Sequence, residues 1–197
     1  MFCKSDTNVL VALGANLPTR VGGPAQTLTA AVDALTERGC AILARSHCYE
    51  TPCFPEGAGP DYVNAVVSVS ITLTAQALLE MLHDIEASFG RLRGDRWGAR
   101  GIDLDLLACG DTIWPDLATF RTWQGLPANE QVRSAPDGLV LPHPRIQDRG
   151  FVLVPLADVA PNWIHPVLGR SVTQMLDALG PDARRAVKRL PDWAALS

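Results

Sequence analysis

Between Phe89 and Cys109 the chain reads F-G-R-L-R-G-D-R-W-G-A-R-G-I-D-L-D-L-L-A-C, and its two halves carry opposite charge. Arg91, Arg93, Arg96 and Arg100, with Trp97 among them, lie on a glycine-broken loop. Asp103 and Asp105 lie on the apolar run Ile102 to Cys109, whose pattern predicts a short strand. Alternate residues of a strand share a face. The two carboxylates therefore project together, and Ile102, Leu104 and Leu106 project the other way into a core. Carboxylates roughly 7 Å apart along a strand repel each other unless a cation lies between them. One or two Mg²⁺ ions suit that place, because hard cations take oxygen ligands and leave positions for phosphate oxygens. The guanidiniums just upstream can grip phosphates in bidentate fashion. An acidic clamp beside an arginine loop is what phosphoryl-type transfer from a nucleotide requires. The competing reading is a solvated surface, since D-x-D at a strand edge and a charged loop both occur without any ligand.

The elements that would position these groups can be read in order. Asn8 to Leu13 is an apolar run that predicts a buried strand, followed by the loop Gly14 to Gly23. Thr27 to Arg38 has helical spacing and stops at Gly39. Cys40 to Tyr49 alternates as a second strand. The Pro- and Gly-punctuated stretch Pro52 to Pro60 predicts an irregular loop, functional or merely superficial. Tyr62 to Leu73 is the clearest strand. Val63, Ala65, Val67, Val69 and Ile71 form its apolar face; Tyr62, Asn64, Ser68 and Ser70 lie opposite, either solvated or reading the edge of a planar heterocycle. Thr74 caps a helix that runs to Gly90. Strand, helix, strand, strand, helix, strand is the β-α-β-β-α-β plan, an α+β ferredoxin-like fold with a sheet and helices packed on one face.

Beyond that core, Trp114 to Gly138 breaks the rhythm and predicts an insertion. Phe120 and Trp123 are its apolar anchors, docking it either as a lid beside the nucleotide or as an inert excursion. Leu139 to Leu141 predicts a strand leading into Pro142-His143-Pro144-Arg145, and a helix follows over Val152 to Val159. Ser171 and Gln174 fit a capping box. The tail from 182 to 197 reads as peripheral. One domain over 1–197, with 115–138 inserted, suits the length.

Bulk properties narrow the class. Lys and Arg number 17 against 21 Asp and Glu, a net charge of −4, so the arginine cluster is local and no general nucleic-acid or membrane binder is indicated. The five cysteines form no C-x-x-C pair, which favours reduced thiols. No apolar run approaches a membrane span. A cytoplasmic, monomeric protein acting on small molecules is the expectation.

Six stretches, in order, carry a resemblance. They are L-G-A-N-L (Leu13 to Leu17), Y-E-T-P (Tyr49 to Pro52), P-D-Y-V-N-A-V (Pro60 to Val66), I-E-A-S-F-G-R-L-R (Ile85 to Arg93), R-W-G-A-R-G-I-D-L-D-L-L (Arg96 to Leu107) and L-P-H-P-R-I-Q-D-R-G-F-V-L-V-P-L (Leu141 to Leu156). In these the chain resembles the 6-hydroxymethyl-7,8-dihydropterin pyrophosphokinase family of folate biosynthesis. The resemblance implies transfer of pyrophosphate from ATP, the co-substrate, to the pterin hydroxymethyl group, with release of AMP. It implies two Mg²⁺ ions held by Asp103 and Asp105, with Arg91 and Arg100 on the transferring phosphates. Tyr62 and Phe151 would sandwich the pterin. Thr51 and Asn64 would bind its edge, with backbone groups near Cys53 and Phe54, and Trp97 would close over the site. Glu86, Arg93, Arg96, His143 and Arg149 would hold ATP, and the loops at 15–23, 52–60 and 90–101 would close on the substrates. The chain departs from the family pattern at His83, Pro144 and Gln147. Two alternatives stand beside this: a nucleotide-binding module of the same fold without catalysis, and an ATP-dependent transferase for another heterocycle.

Overall fold

A computed structural model describes residues 8–53, 57, 59–90, 101–127, 130, 136, 138–191 and 193. Its centre is an antiparallel sheet built from β1 (Val9–Ala15), β2 (Ala41–Arg45), β3 (Tyr49–Thr51), β4 (Tyr62–Ser70), β5 (Asp103–Cys109) and β6 (Lys188–Arg189). The order is β5-β1-β4-β3-β6, with β2 also paired to β4. Helices α1 (Pro24–Glu37) and α2 (Ala75–Ser88) complete the expected β-α-β-β-α-β core. Both bury their apolar stripes against one sheet face: Leu28, Ala31, Val32 and Leu35 from α1 and Leu78, Leu82 and Ile85 from α2 pack on Val9, Val11, Leu13, Val67 and Val69. Thr74 caps α2 as its sequence suggests, its Oγ1 accepting from the Ala77 amide at 3.1 Å.

The opposite face is also covered, though only along part of its length. Helix α4 (Gly150–Val159) and the short α5 (Val172–Ala178) lay Val152, Leu153, Leu156, Val172 and Met175 on Leu10, Val66 and Leu107. Asn64 and Ser68, on the polar side of β4, are therefore buried rather than solvated. Helix α4 tolerates Pro155 because the helix is short and its burial outweighs one missing backbone bond.

Two expectations need correction. The stretch Cys40 to Tyr49 is not one strand. It breaks between β2 and β3, where the Ser46 hydroxyl accepts the Val66 amide at 2.9 Å and donates to the His47 carbonyl at 2.7 Å, so a side chain replaces a ladder bond. Leu139 to Leu141 is not a strand either. Leu141 exchanges both backbone bonds with Trp114, and Pro142, which has no N–H, ends the pairing. The tail is tied to the sheet: β6 pairs with β3, the Leu190 amide donates to the Cys48 carbonyl, and the Trp193 indole donates to the Ser46 carbonyl.

The inserted helix α3 (Leu117–Gln124) docks through Phe120, which is wholly buried. Its ring stands 5.5 Å from His165, and His165 stands 5.6 Å from Trp163. The Trp163 indole donates to the Gly110 carbonyl at 2.8 Å. This is the end of β5 remote from Asp103, about 20 Å along the strand, and a lid beside the carboxylates is not what α3 forms. Among the described residues, no helix is long and apolar enough to cross a membrane.

Candidate active site

The strand registers bring the polar residues into rows. Gly14 of β1 pairs with Asp103 of β5 on one side and Asn64 of β4 on the other, and Asn64 pairs with Tyr49 of β3. Paired residues of antiparallel strands share a face, so Asp103, Gly14, Asn64 and Tyr49 form one row across four strands. Asp105, Ala12 and Val66 form the next row inward, where the cover by α4 begins. Tyr62 pairs with Thr51 one row outward. The carboxylates and the Asn64–Thr51 pair thus lie on the same face of the sheet, where the cover by α4 begins.

Gly14 is the gap between them. A Cβ added there would meet Asn64 Oδ1 at 3.1 Å, so a side chain in the middle of the row would press on the amide. Asn64 and Thr51 are both buried, and Asn64 Nδ2 donates to Thr51 Oγ1 at 2.8 Å. That bond sets which way the amide points. Phe151, at the start of α4, is 39% exposed, the condition of an aromatic face available to a flat ligand. The Arg149 guanidinium lies 5.6 Å from the Phe151 ring and 3.6 Å from Asp105 Oδ2, which links the aromatic wall to the carboxylate pair. The start of α4 is fixed from behind: a Cβ on Gly150 would come within 2.7 Å of the Ala183 carbonyl of α6 (Pro181–Arg185).

His143 sits beside this group. Its Nδ1 accepts the Arg145 amide at 3.1 Å, which leaves the ring proton on Nε2. Desolvation, with Arg149 adding to it, pushes its pKa down to about 3, and Asp103 opposes the shift. The ring is a neutral donor at neutral pH, and both Asp103 and Arg149 are near enough to act on it. Arg145 turns away to Asp148 at 2.9 Å.

Glu86 lies on the α2 side, 3% exposed, with Oε1 accepting the Leu104 amide at 2.7 Å. Cys53 flanks Thr51 on the loop, its amide 3.4 Å from Asp61 Oδ1. Sequence reasoning missed Asn16, a buried residue whose Nδ2 donates to the Pro60 carbonyl and so ties the loop after β1 to the loop before β4. Its position directly after L-G-A was the available signal. Arg91, Arg93, Arg96, Trp97, Arg100 and Phe54 lie outside the described residues.

The donor set suits a hard divalent cation. Among the described residues no group of three or more His, Cys, Asp or Glu forms a closed cage. Two carboxylates with coordination positions left over match Mg²⁺, which is bound by one or two carboxylates together with substrate phosphates.

Comparison with known proteins gives the family. A model of the family 7,8-dihydro-6-hydroxymethylpterin-pyrophosphokinase (HPPK) matches residues 10–161. The chain belongs to this family. One HPPK relative, the 2-amino-4-hydroxy-6-hydroxymethyldihydropteridine pyrophosphokinase of Methylorubrum extorquens, is 34% identical over 183 residues, covering 92% of this chain and 99% of its own. A Synechocystis protein of the same name is 36% identical over 138 residues, or 70% of this chain; the chain spans 57% of that relative. Crystal structures of Plasmodium falciparum HPPK-DHPS share the fold. One superposes with a TM-score of 0.65 at 16% identity, covering 94% of this chain and 49% of that one. The HPPK match runs from β1 through α4, and so spans every described residue of the site.

Proposed function

We infer that the chain transfers pyrophosphate from ATP to 6-hydroxymethyl-7,8-dihydropterin, giving the pterin diphosphate and AMP. The observation that carries the reading, beside family membership, is the sheet row in which Asp103 and Asn64 flank Gly14. It sets a phosphate-side group and a heterocycle-side group about 10 Å apart, two strand spacings, which suits one hydroxymethyl arm reaching one triphosphate.

Tyr62 and Phe151 sandwich the pterin in this reading, and Thr51 and Asn64 hydrogen-bond its edge, with the Cys53 and Phe54 backbone completing the set. A site built to satisfy those polar atoms rejects heterocycles that lack them. His143 donates through Nε2 and Arg149 through its guanidinium to the ATP phosphates, and Arg91 and Arg100 flank the group in transfer. Glu86, Arg93, Arg96 and Trp97 hold the nucleotide and close the site. Two Mg²⁺ ions, held by Asp103 and Asp105, supply charge neutralisation at the phosphates. The hydroxymethyl oxygen forms a bond to the β-phosphorus and gives up its proton to solvent, while the bond from that phosphorus to the α–β bridging oxygen breaks and AMP leaves with the bridging oxygen. The residues act by positioning and by placing positive charge where negative charge develops. The protein works as a monomer in the cytoplasm.

The test is product identity. Incubation with Mg-ATP and the pterin should give AMP and pterin diphosphate one for one by mass spectrometry. ADP with a pterin monophosphate, or AMP with unmodified pterin, would sink the reading.

A further inference from the structure

The last turn of α4 carries one carboxylate, Asp158, in a helix otherwise composed of Gly, Phe, Val, Leu, Pro and Ala. A single oxygen of that carboxylate, Oδ2, accepts three hydrogen bonds: from the His47 amide at 3.0 Å, from His47 Nδ1 at 2.9 Å and from the Tyr49 hydroxyl at 2.9 Å. Three donors on one charged oxygen make a strong and directional joint. Tyr49 is buried, and its ring stands edge-on to His47 at 6.5 Å.

The joint connects α4, which carries Phe151, to β3, which carries Thr51. Tyr49 and Thr51 are two apart on β3, so they share a face, and Tyr49 is the register partner of Asn64. Phe151 and Asp158 are seven apart on α4, two turns, and so lie on one side of that helix. Helix α4 packs across β4 and reaches β2 and β3. Its N-terminal end is set by Gly150 against Ala183; the Asp158 joint fixes its other end and thereby its angle over the sheet. The joint itself is braced by the tail, through Leu190 on Cys48 and Trp193 on Ser46.

We propose that Asp158, acting through Tyr49 and His47, is a positioning residue for the pterin: it sets the width of the slot between Phe151 on α4 and the Thr51–Asn64 pair on the sheet. The inference rests on the pterin-transfer reading of the site. It predicts a selective effect on the pterin, because the groups facing ATP have contacts of their own, Arg149 with Asp105 and His143 with the Leu107 carbonyl.

The experiment compares Asp158→Asn and Tyr49→Phe with the wild type in steady-state assays, varying each substrate, alongside thermal melts. Both variants should raise KM for the pterin, Asp158→Asn by roughly tenfold, the scale of one charge-assisted bond. KM for ATP and kcat should stay within about twofold. A purely structural joint would instead lower the melting temperature with no selective change in pterin KM, and that result overturns the proposal. Equal rises in both KM values overturn it as well. If Asp158→Asn does not fold, Tyr49→Phe, which removes one hydroxyl, carries the measurement. Wild type without pterin-dependent AMP would overturn the function and this inference with it; active wild type with unshifted variants would overturn the positioning role alone.

Discussion

The Oε1 atom of Glu86 accepts the amide of Leu104, the residue between Asp103 and Asp105, at 2.7 Å. Among the described residues strand β5 is an edge of the sheet, and a buried carboxylate from α2 takes the place of a neighbouring strand at that amide. The two site carboxylates are thereby aimed by a third carboxylate beneath them. Replacing Glu86 by Ala should leave the amide without its partner and cost about 1–3 kcal/mol. Glu86→Gln keeps an acceptor oxygen and should lose less. Denaturant melts of the two variants should rank in that order, and the apparent Mg²⁺ requirement should rise more in Glu86→Ala. Equal stability in both would contradict the capping role.

Gly14 offers a second check on the row. Gly14→Ala places a methyl group 3.1 Å from Asn64 Oδ1, so the amide must shift while bonded to Thr51. The expected outcome is a several-fold weaker pterin KM with stability nearly unchanged, and a larger loss in Gly14→Val. Steady-state kinetics with each substrate varied would show it. An unaffected Gly14→Val would mean that the row is not the pterin floor.

Asp105 and Arg149 separate function from stability. Their 3.6 Å pair is about one-third exposed on each side, and exposed pairs of this kind contribute at most about 1 kcal/mol. Asp105→Asn should therefore melt close to wild type while turnover falls by about a hundredfold or more. A comparable rate would remove Asp105 from the metal site.

The insertion has its own signature. Phe120→Ala empties a fully buried position and should cost about 3–5 kcal/mol, yet leave both KM values near wild type, because α3 docks far from the carboxylates. A selective change in KM for ATP would revive the lid.

That docking site also predicts acid sensitivity. His165 is buried against Phe120, with Nδ1 accepting the Val167 and Leu168 amides, and burial pushes its pKa down to about 4. Above an unfolded-state pKa of about 6.5 both states are neutral there. As pH falls from that value the unfolded chain takes the proton and the folded chain does not, so stability falls until about pH 4. The slope is at most about 1.4 kcal/mol per pH unit for this one proton, and His143, also held neutral, adds to it in the same direction. Melts between pH 7 and 4.5 should show the decline, and His165→Leu should flatten it while lowering stability at pH 7. A flat wild-type profile would contradict the assignment.

Much of this site was legible in the chain because strand periodicity is rigid. Asp103 and Asp105 had to share a face, and Asn64 had to oppose the Val63–Val67 stripe. Nothing local told whether the polar side of β4 would be solvated or built into a site, and it is α4, lying across that side, that buries Asn64 and Ser68. The Cys40–Tyr49 stretch alternates well enough for one strand, and only the pairing of Ser46 with Val66, twenty residues on, reveals the break. Phe120 was recognisable as an anchor, but its partner His165 was not, since the contact is set by how Trp163 meets the end of β5. The joint at Asp158 left one trace, a lone carboxylate in an apolar helix, whose partners 109 and 111 residues away no local pattern could name.

The measurement that tests the central claim most directly uses ATP labelled at the β-phosphorus. Wild-type protein with Mg²⁺ and 6-hydroxymethyl-7,8-dihydropterin should move the label to the pterin, with one unlabelled AMP for each pterin diphosphate, and Asp103→Ala should abolish the transfer. Label that stays with the nucleotide, or AMP that forms at the same rate without the pterin, would contradict the account.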